Sequence, residues 1–417
     1  MGKLIIRGGK KLGGEIFVAG MKNAATPVIA AALLTSEECF LDNIPRLSDV
    51  EKMVEIVRSL GAEVEWIGER ALRICAKNVN ADKIDRRAVK AMRSSVLLLG
   101  PLLARCGEAE LPEPGGCIIG NRPLDTHLFA LSKLGAEITR VNSGYKIRAE
   151  ALKGALIILP EFSVTATENA LMAAAMAPGK TIIKLAAAEP HVQDLARFLR
   201  AMGAKIRGEG THILEIEGVE RLHGARHRII PDQIEAGTFA ALAAVTRGTV
   251  VIKNLDFEYL DAVISVLAKA GVNFKQGTDW MEIRPATMTA FKLQALPYPG
   301  FPTDLQAPFG VLATQAHGTS LIHDPMFEGR LGYVGELIKM GANAVVCDPH
   351  RVLISGPTPL YGTEIKSLDL RAGATMVIAG LAADGETVIN EAEVLDRGYE
   401  RLDERLRALG ADIEKKE

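Results

Sequence analysis

Leu60-Gly61-Ala62-Glu63-Val64 is the first of six near-copies of one short motif. The others are Leu134-Gly135-Ala136-Glu137-Ile138, Met202-Gly203-Ala204-Lys205-Ile206, Ala270-Gly271-Val272-Asn273-Phe274, Met340-Gly341-Ala342-Asn343-Ala344 and Leu409-Gly410-Ala411-Asp412-Ile413. Successive first glycines lie 74, 68, 68, 70 and 69 residues apart, a spacing even enough to establish a sixfold internal repeat. Each copy ends an amphipathic helix and opens a strand. In the first, Ser48 and Glu51 form a capping-box pattern, Val50, Met53, Val54, Val57 and Leu60 fall at helical spacing, and Gly61 is a natural helix stop. A short strand precedes each such helix, often announced by a glycine, as in Gly179-Lys180-Thr181-Ile182-Ile183 and Gly248-Thr249-Val250-Val251-Ile252. Alternating strands and helices predict an α/β fold.

A second helix type also recurs six times, apolar nearly all round, with copies beginning near Asn23, Arg93, Thr167, Ile234, Gln306 and Arg371. Such helices must be buried on every side, and their Ala and Gly residues allow close packing. Polar exceptions gather at their N-terminal ends: Lys22 and Asn23, Arg93, Ser163 and Glu168, Asp232 and Glu235, Thr303 and Asp304, Asp369 and Arg371. Capping accounts for Ser163 and Asp232. It does not account for Lys22, Arg93 or Arg371, because a cation is disfavoured at the positive end of a helix. An anionic ligand beside those residues is the better explanation.

At 417 residues the chain is long enough for two domains. A hydrophobic content of 48% with 5% aromatics implies an aliphatic interior, and a net charge of −2 gives no field to recruit nucleic acid or an acidic membrane. The N-terminus begins as a strand without a signal-peptide core, and no apolar run reaches the roughly 18 residues of a membrane span. Five cysteines without Cys-x-x-Cys spacing fit reduced thiols in a cytoplasm, and no histidine pair has metal-binding spacing. One cysteine stands apart, in Gly115-Gly116-Cys117-Ile118-Ile119-Gly120-Asn121-Arg122-Pro123-Leu124-Asp125. Mobile glycines, a thiol and charged neighbours meet there, consistent with a reactive thiol or with a chance loop cysteine.

Over essentially its full length the chain resembles the enolpyruvyl transferases, and among them those whose acceptor is UDP-N-acetylglucosamine. The resemblance is carried by Lys22-Asn23-Ala24, the Cys117 loop, Phe301-Pro302-Thr303-Asp304, Asp369-Leu370-Arg371-Ala372 and Asp396-Arg397-Gly398-Tyr399-Glu400-Arg401. It implies an inside-out α/β barrel of two similar lobes, each of three repeated units around buried parallel helices. Residues 1–21 with 231–417 are expected to form one lobe and residues 22–230 the other. It further implies transfer of the enolpyruvyl group of phosphoenolpyruvate to the sugar 3-hydroxyl with release of phosphate, the first committed step of peptidoglycan synthesis. No metal or cofactor is implied. The expected partners are those two small-molecule substrates, without nucleic acid or membrane.

By the same resemblance, Lys22, Asn23, Arg122, Arg330, Arg371 and Arg397 hold phosphoenolpyruvate. Cys117 is the general acid and forms an adduct, Asp304 is the base at the sugar hydroxyl, and Lys22 and Arg397 share in the catalysis. Arg93, Arg122, Pro123, Leu124, Asp125, Thr126, Ser163, Val164, Thr165, Asp304 and Met326 contact the nucleotide sugar, which binds first across a cleft that the Cys117 loop closes. Alkylation of Cys117 by fosfomycin is a further implication. The chain departs from the family pattern at Glu161, where a lysine is common, and at Thr165, where a glycine is common. It departs again within Phe327-Glu328-Gly329-Arg330-Leu331-Gly332-Tyr333, where an asparagine and a histidine are typical, and at Tyr298, where a histidine is common. The rival expectations are an enzyme that accepts shikimate 3-phosphate, a silent nucleotide-sugar-binding paralogue, and a repeat scaffold.

Overall fold

The computed structural model describes residues 2–112, 115, 123–141 and 144–416. All six motif copies take one local conformation. The outer helices Ser48–Ser59, Asp125–Lys133, Pro190–Ala201, Asp261–Lys269, Tyr333–Lys339 and Leu402–Ala408 each run into a motif glycine with φ between 73° and 106°. The residue after each glycine donates its N–H to a carbonyl five residues back: Ala62 to Val57, Ala136 to Leu131, Ala204 to Leu199, Val272 to Leu267, Ala342 to Leu337 and Ala411 to Leu406. This is a Schellman stop, which needs a left-handed residue and therefore favours glycine. The residue that follows is buried in every copy, which explains why it is small and apolar. A strand opens two residues after each glycine.

The sheets repeat as faithfully. Five have four strands: one edge strand runs parallel to its neighbour and the other two pairings are antiparallel. The sixth has three antiparallel strands among the described residues, Glu108–Pro112, Gly144–Arg148 and Glu137–Val141. Several sheets are completed by distant chain. Lys3–Arg7 inserts between Glu386–Asn390 and Asp412–Lys416, Gly13–Phe17 lies parallel to Thr249–Lys253, and Arg226–Arg228 lies parallel to Glu38–Asp42. The described residues accordingly form two compact units, residues 2–19 with 231–416 and residues 20–112 with 115, 123–141 and 144–230.

In the unit holding both termini, three sheets surround the mutually packed helices Gln233–Val245, Gln306–Thr314 and Leu370–Ala382. Every residue of the first two is buried, as the all-round apolar pattern requires. In the other unit the corresponding segments are Lys22–Ala31, Arg93–Cys106 and Val164–Ala174. The middle segment begins as a 3-10 helix, Arg93–Leu98, and becomes α-helical at Leu99. Pro101 has no N–H to offer the carbonyl of Leu97, so the α-ladder cannot extend back through it. The third begins at Val164, three residues before the position expected from its apolar pattern, because Ser163 caps it. No helix among the described residues is long and apolar enough to cross a membrane.

The capping box expected at Ser48 is absent. Leu47 occupies the N-cap without a side-chain cap, and Glu51 instead pairs with Arg46 at 3.1 Å. Ser48 lies inside the first turn, where its hydroxyl cannot reach the third amide.

Candidate active site

The unit containing both termini brings three helix starts together through charge. Asp232 caps Gln233–Val245, Asp304 sits in the turn Thr303–Leu305 ahead of Gln306–Thr314, and Arg371 lies in the first turn of Leu370–Ala382. Arg330 Nη2 donates to Asp304 Oδ1 at 2.5 Å, and Arg371 Nε donates to Asp304 Oδ2 at 3.1 Å. Both guanidiniums are almost wholly buried. Arg330 Nε and Arg371 Nη1 are buried and have no acceptor among the described residues. Two buried cations thus share one carboxylate and keep donors in reserve, an arrangement that calls for a further anion.

Neighbouring side chains hold this pair in place. Thr303 Oγ1 donates to Asp324 Oδ2 at 2.5 Å, which fixes the residue beside Asp304, and the amide of Met326 donates to the other oxygen of Asp324 at 2.9 Å. Gln306 Nε2 donates to the Arg330 carbonyl at 3.0 Å, while Tyr333 donates to Gln306 Oε1 at 3.1 Å. Tyr333 is fully buried. A Cβ at position 310 would strike its hydroxyl, so Gly310 makes the space for it. Arg397 ends the 3-10 helix Ala392–Arg397, which packs on Leu370–Ala382.

Asp232 carries a pH-dependent cost. Burial pushes its carboxyl up to about 6, against the pull of Arg371. The folded value lies above the unfolded value, so the folded chain holds this proton more tightly. The corresponding stability is present at low pH and is lost as pH rises from about 4 through about 6. Asp232→Asn keeps a side chain able to cap the Ile234 and Glu235 amides and removes the titration. Denaturant melts at pH 4 and pH 7 should show the variant gaining on the wild type by on the order of 2 to 3 kcal/mol across that interval. An unchanged gap would mean that Asp232 does not titrate there.

In the other unit, Lys22 opens its helix and donates Nζ to Asp49 at 3.2 Å. Two of the three disfavoured cations at helix starts, Lys22 and Arg371, therefore have internal counter-charges in Asp49 and Asp304, which the motif pattern alone did not reveal. Asn23, half-buried, follows Lys22. Ser163 caps its helix by accepting from the Ala166 amide at 3.3 Å. Thr126 is buried and donates to Glu161 Oε1 at 2.8 Å, which ties back the carboxylate that the departure at position 161 introduces. Pro123 and Asp125 are exposed, and Leu124, Val164 and Arg93 are partly so. Cys117 and Arg122 lie outside the described residues.

Sequence reasoning missed Asp49, Asp324, Gln306 and His127, because each acts through a partner distant in the chain. Only Tyr333 carried a signal, as a departure from the family pattern.

The sequence profile of the family described as EPSP synthase (3-phosphoshikimate 1-carboxyvinyltransferase) matches residues 6–406. The UDP-N-acetylglucosamine 1-carboxyvinyltransferase of Koribacter versatilis is 45% identical over 419 residues, covering 100% of this chain and 96% of that protein. The protein of the same name from Bradyrhizobium diazoefficiens is 46% identical over 421 residues, covering 99% and 97%. Among solved structures, the enolpyruvyl transferase NikO from Streptomyces tendae superposes with a TM-score of 0.91 at 26% identity, covering 100% of this chain and 99% of that one. EPSP synthase from Acinetobacter baumannii shares the fold, with a TM-score of 0.76 at 21% identity over the whole of both chains.

Proposed function

This chain belongs to the enolpyruvyl transferase family, and we propose from that membership that it transfers the enolpyruvyl group of phosphoenolpyruvate to the 3-hydroxyl of UDP-N-acetylglucosamine. Phosphate is released, and the product enters peptidoglycan synthesis. The observation that carries the reading is the buried Arg330–Asp304–Arg371 cluster with its unused guanidinium donors. Phosphoenolpyruvate brings a phosphate and a carboxylate, both matched by planar arginine forks. Lys22, Asn23, Arg122 and Arg397 complete its binding set.

The reaction is an addition followed by an elimination. The sugar 3-oxygen bonds to C2 of the enol, its proton passes to Asp304, and C3 takes a proton from the Cys117 thiol. Asp304 lies between the two guanidiniums, which hold its carboxylate ionised and able to take the sugar proton. In the elimination, C3 returns a proton to Cys117 and the C2–O bond to phosphate breaks. Lys22 and the arginines stabilise the departing charge. Arg93, Pro123, Leu124, Asp125, Thr126, Ser163, Val164, Thr165 and Met326 are the proposed surroundings of the nucleotide sugar.

A phosphate-release assay with each acceptor tests the reading. Turnover is expected with UDP-N-acetylglucosamine and not with shikimate 3-phosphate. The reverse result would reassign the acceptor, and binding of the sugar nucleotide without any phosphate release would leave a silent paralogue. Cys117→Ala should lower turnover by about 10²-fold or more, the contribution of one positioned acid.

A further inference from the structure

Glu161 and Thr165 are tied to consecutive residues of the outer helix Asp125–Lys133. Thr126 holds Glu161, and His127 Nε2 lies 3.1 Å from Thr165 Oγ1. The direction of the second bond follows from its neighbours. The Gly100 amide donates to Asn169 Oδ1 at 2.7 Å, which fixes the orientation of that side-chain amide. Asn169 Nδ2 then donates both to the Val96 carbonyl at 2.9 Å and to His127 Nδ1 at 3.0 Å. An imidazole whose Nδ1 accepts carries its proton on Nε2, so His127 is the donor and Thr165 Oγ1 the acceptor. Burial, and then the charge of Arg93, lower the His127 pKa to about 3, so the ring stays neutral at every working pH.

We propose that His127 is a positioning residue for the acceptor substrate: it donates to the Thr165 oxygen and turns the Thr165 hydroxyl proton outward, towards a phosphate oxygen of the bound sugar nucleotide. This rests on the reading of UDP-N-acetylglucosamine as acceptor. Thr165 is the second residue of the eleven-residue helix Val164–Ala174 and is half-exposed, while His127, Asn169 and Gly100 behind it are buried. No acceptor among the described residues takes the Thr165 proton. Ser163 caps the Ala166 amide, which leaves the Val164 and Thr165 amides at the start of that helix, and Arg93 adds positive charge nearby. Hydroxyl donor, amides and cation together select an anion rather than the uracil or the sugar. A glycine at this position would offer only its amide. Threonine adds an oriented hydroxyl, and His127 supplies the orientation.

The test compares wild type, Thr165→Val, Thr165→Ser, His127→Phe and the double variant Thr165→Val with His127→Phe. Thr165→Val should raise the KM for UDP-N-acetylglucosamine about ten- to a hundredfold, the worth of one hydrogen bond to a charged group, with a smaller change in kcat. Thr165→Ser should restore it. Inhibition by UDP should weaken in parallel, and inhibition by uridine should not. His127→Phe should reproduce the loss in the wild-type background and add nothing in the Thr165→Val background. Nitrogen-15 spectra should place the His127 proton on Nε2 from about pH 5 to about pH 8. Equal KM values for wild type and Thr165→Val, equal weakening of UDP and uridine, or additive losses in the double variant would each overturn the inference while leaving the acceptor assignment intact. A wild-type protein inert towards UDP-N-acetylglucosamine would overturn both. Should His127→Phe fail to fold, the valine and serine variants at position 165 still decide.

Discussion

Asp304→Ala should reduce phosphate release from phosphoenolpyruvate and UDP-N-acetylglucosamine by about 10³-fold and should also lower stability. The first effect follows from removing the base at the sugar hydroxyl, a contribution of about 10²- to 10⁴-fold. The second follows from the geometry of the pair. Arg330 and Arg371 are buried and both donate to this one carboxylate, so its loss strands two cations in a poorly hydrated environment. Breaking a buried ion pair from one side costs about 3 to 5 kcal/mol. Inorganic phosphate, which can occupy the same donors, should recover part of that stability. Asp304→Asn should be as inactive but less destabilised, because its amide oxygen can still accept from one arginine. Thermal melts with and without phosphate, beside the release assay, separate the two effects. An Asp304→Ala protein retaining a tenth of wild-type turnover would remove Asp304 from the base role.

Arg405→Met should be the most destabilising single change away from the chemistry. Its guanidinium forms a bidentate pair with the buried Glu235, at 2.6 and 3.2 Å, and also donates to the carbonyls of Phe17 and Glu400. Glu235 accepts in addition from the Ala19 amide at 2.6 Å, and the ring of Phe239 lies beneath the guanidinium. One ion pair thus fixes Phe17 and Ala19 to the first turn of Gln233–Val245, close in sequence to the steps at residues 19–20 and 230–231 where the described chain passes from one unit to the other. Methionine would retain the bulk of the stem and leave Glu235 charged, buried and unmatched. The expected cost is about 3 to 5 kcal/mol, or about 10 °C for a unit of this size. Arg405→Met with Glu235→Gln should recover a large part of the loss, because the buried charge is gone. A single variant melting within a degree or two of wild type would show that water reaches Glu235.

Much of the architecture was readable because it repeats. A Schellman stop demands a left-handed residue, so a glycine between an apolar residue and a buried alanine or valine marks the same joint in all six copies, and the interval between copies gives the unit of the fold. Helices apolar on every face have only the interior to occupy, and Gln233–Val245 is buried throughout. The Ser48 cap failed for a local reason: the pattern fixes a helix start to within a few residues, whereas a cap requires one residue in one position.

The chain's own sequence determined the repeat, the α/β class, the buried helices and the polar residues at their starts, since these depend on spacing along the chain and on backbone preferences. It also displayed the motifs by which the family is recognised. Only the tertiary structure decided which charges meet. Asp304 and Arg371 are 67 residues apart, and Glu235 and Arg405 are 170 apart. The direction of the hydrogen bond on Thr165 depends on Gly100, Val96, His127 and Asn169 together. Local sequence sets backbone conformation through short-range sterics. The pairing of buried charges and the placing of a proton depend on which groups share a water-poor interior, and only folding settles that.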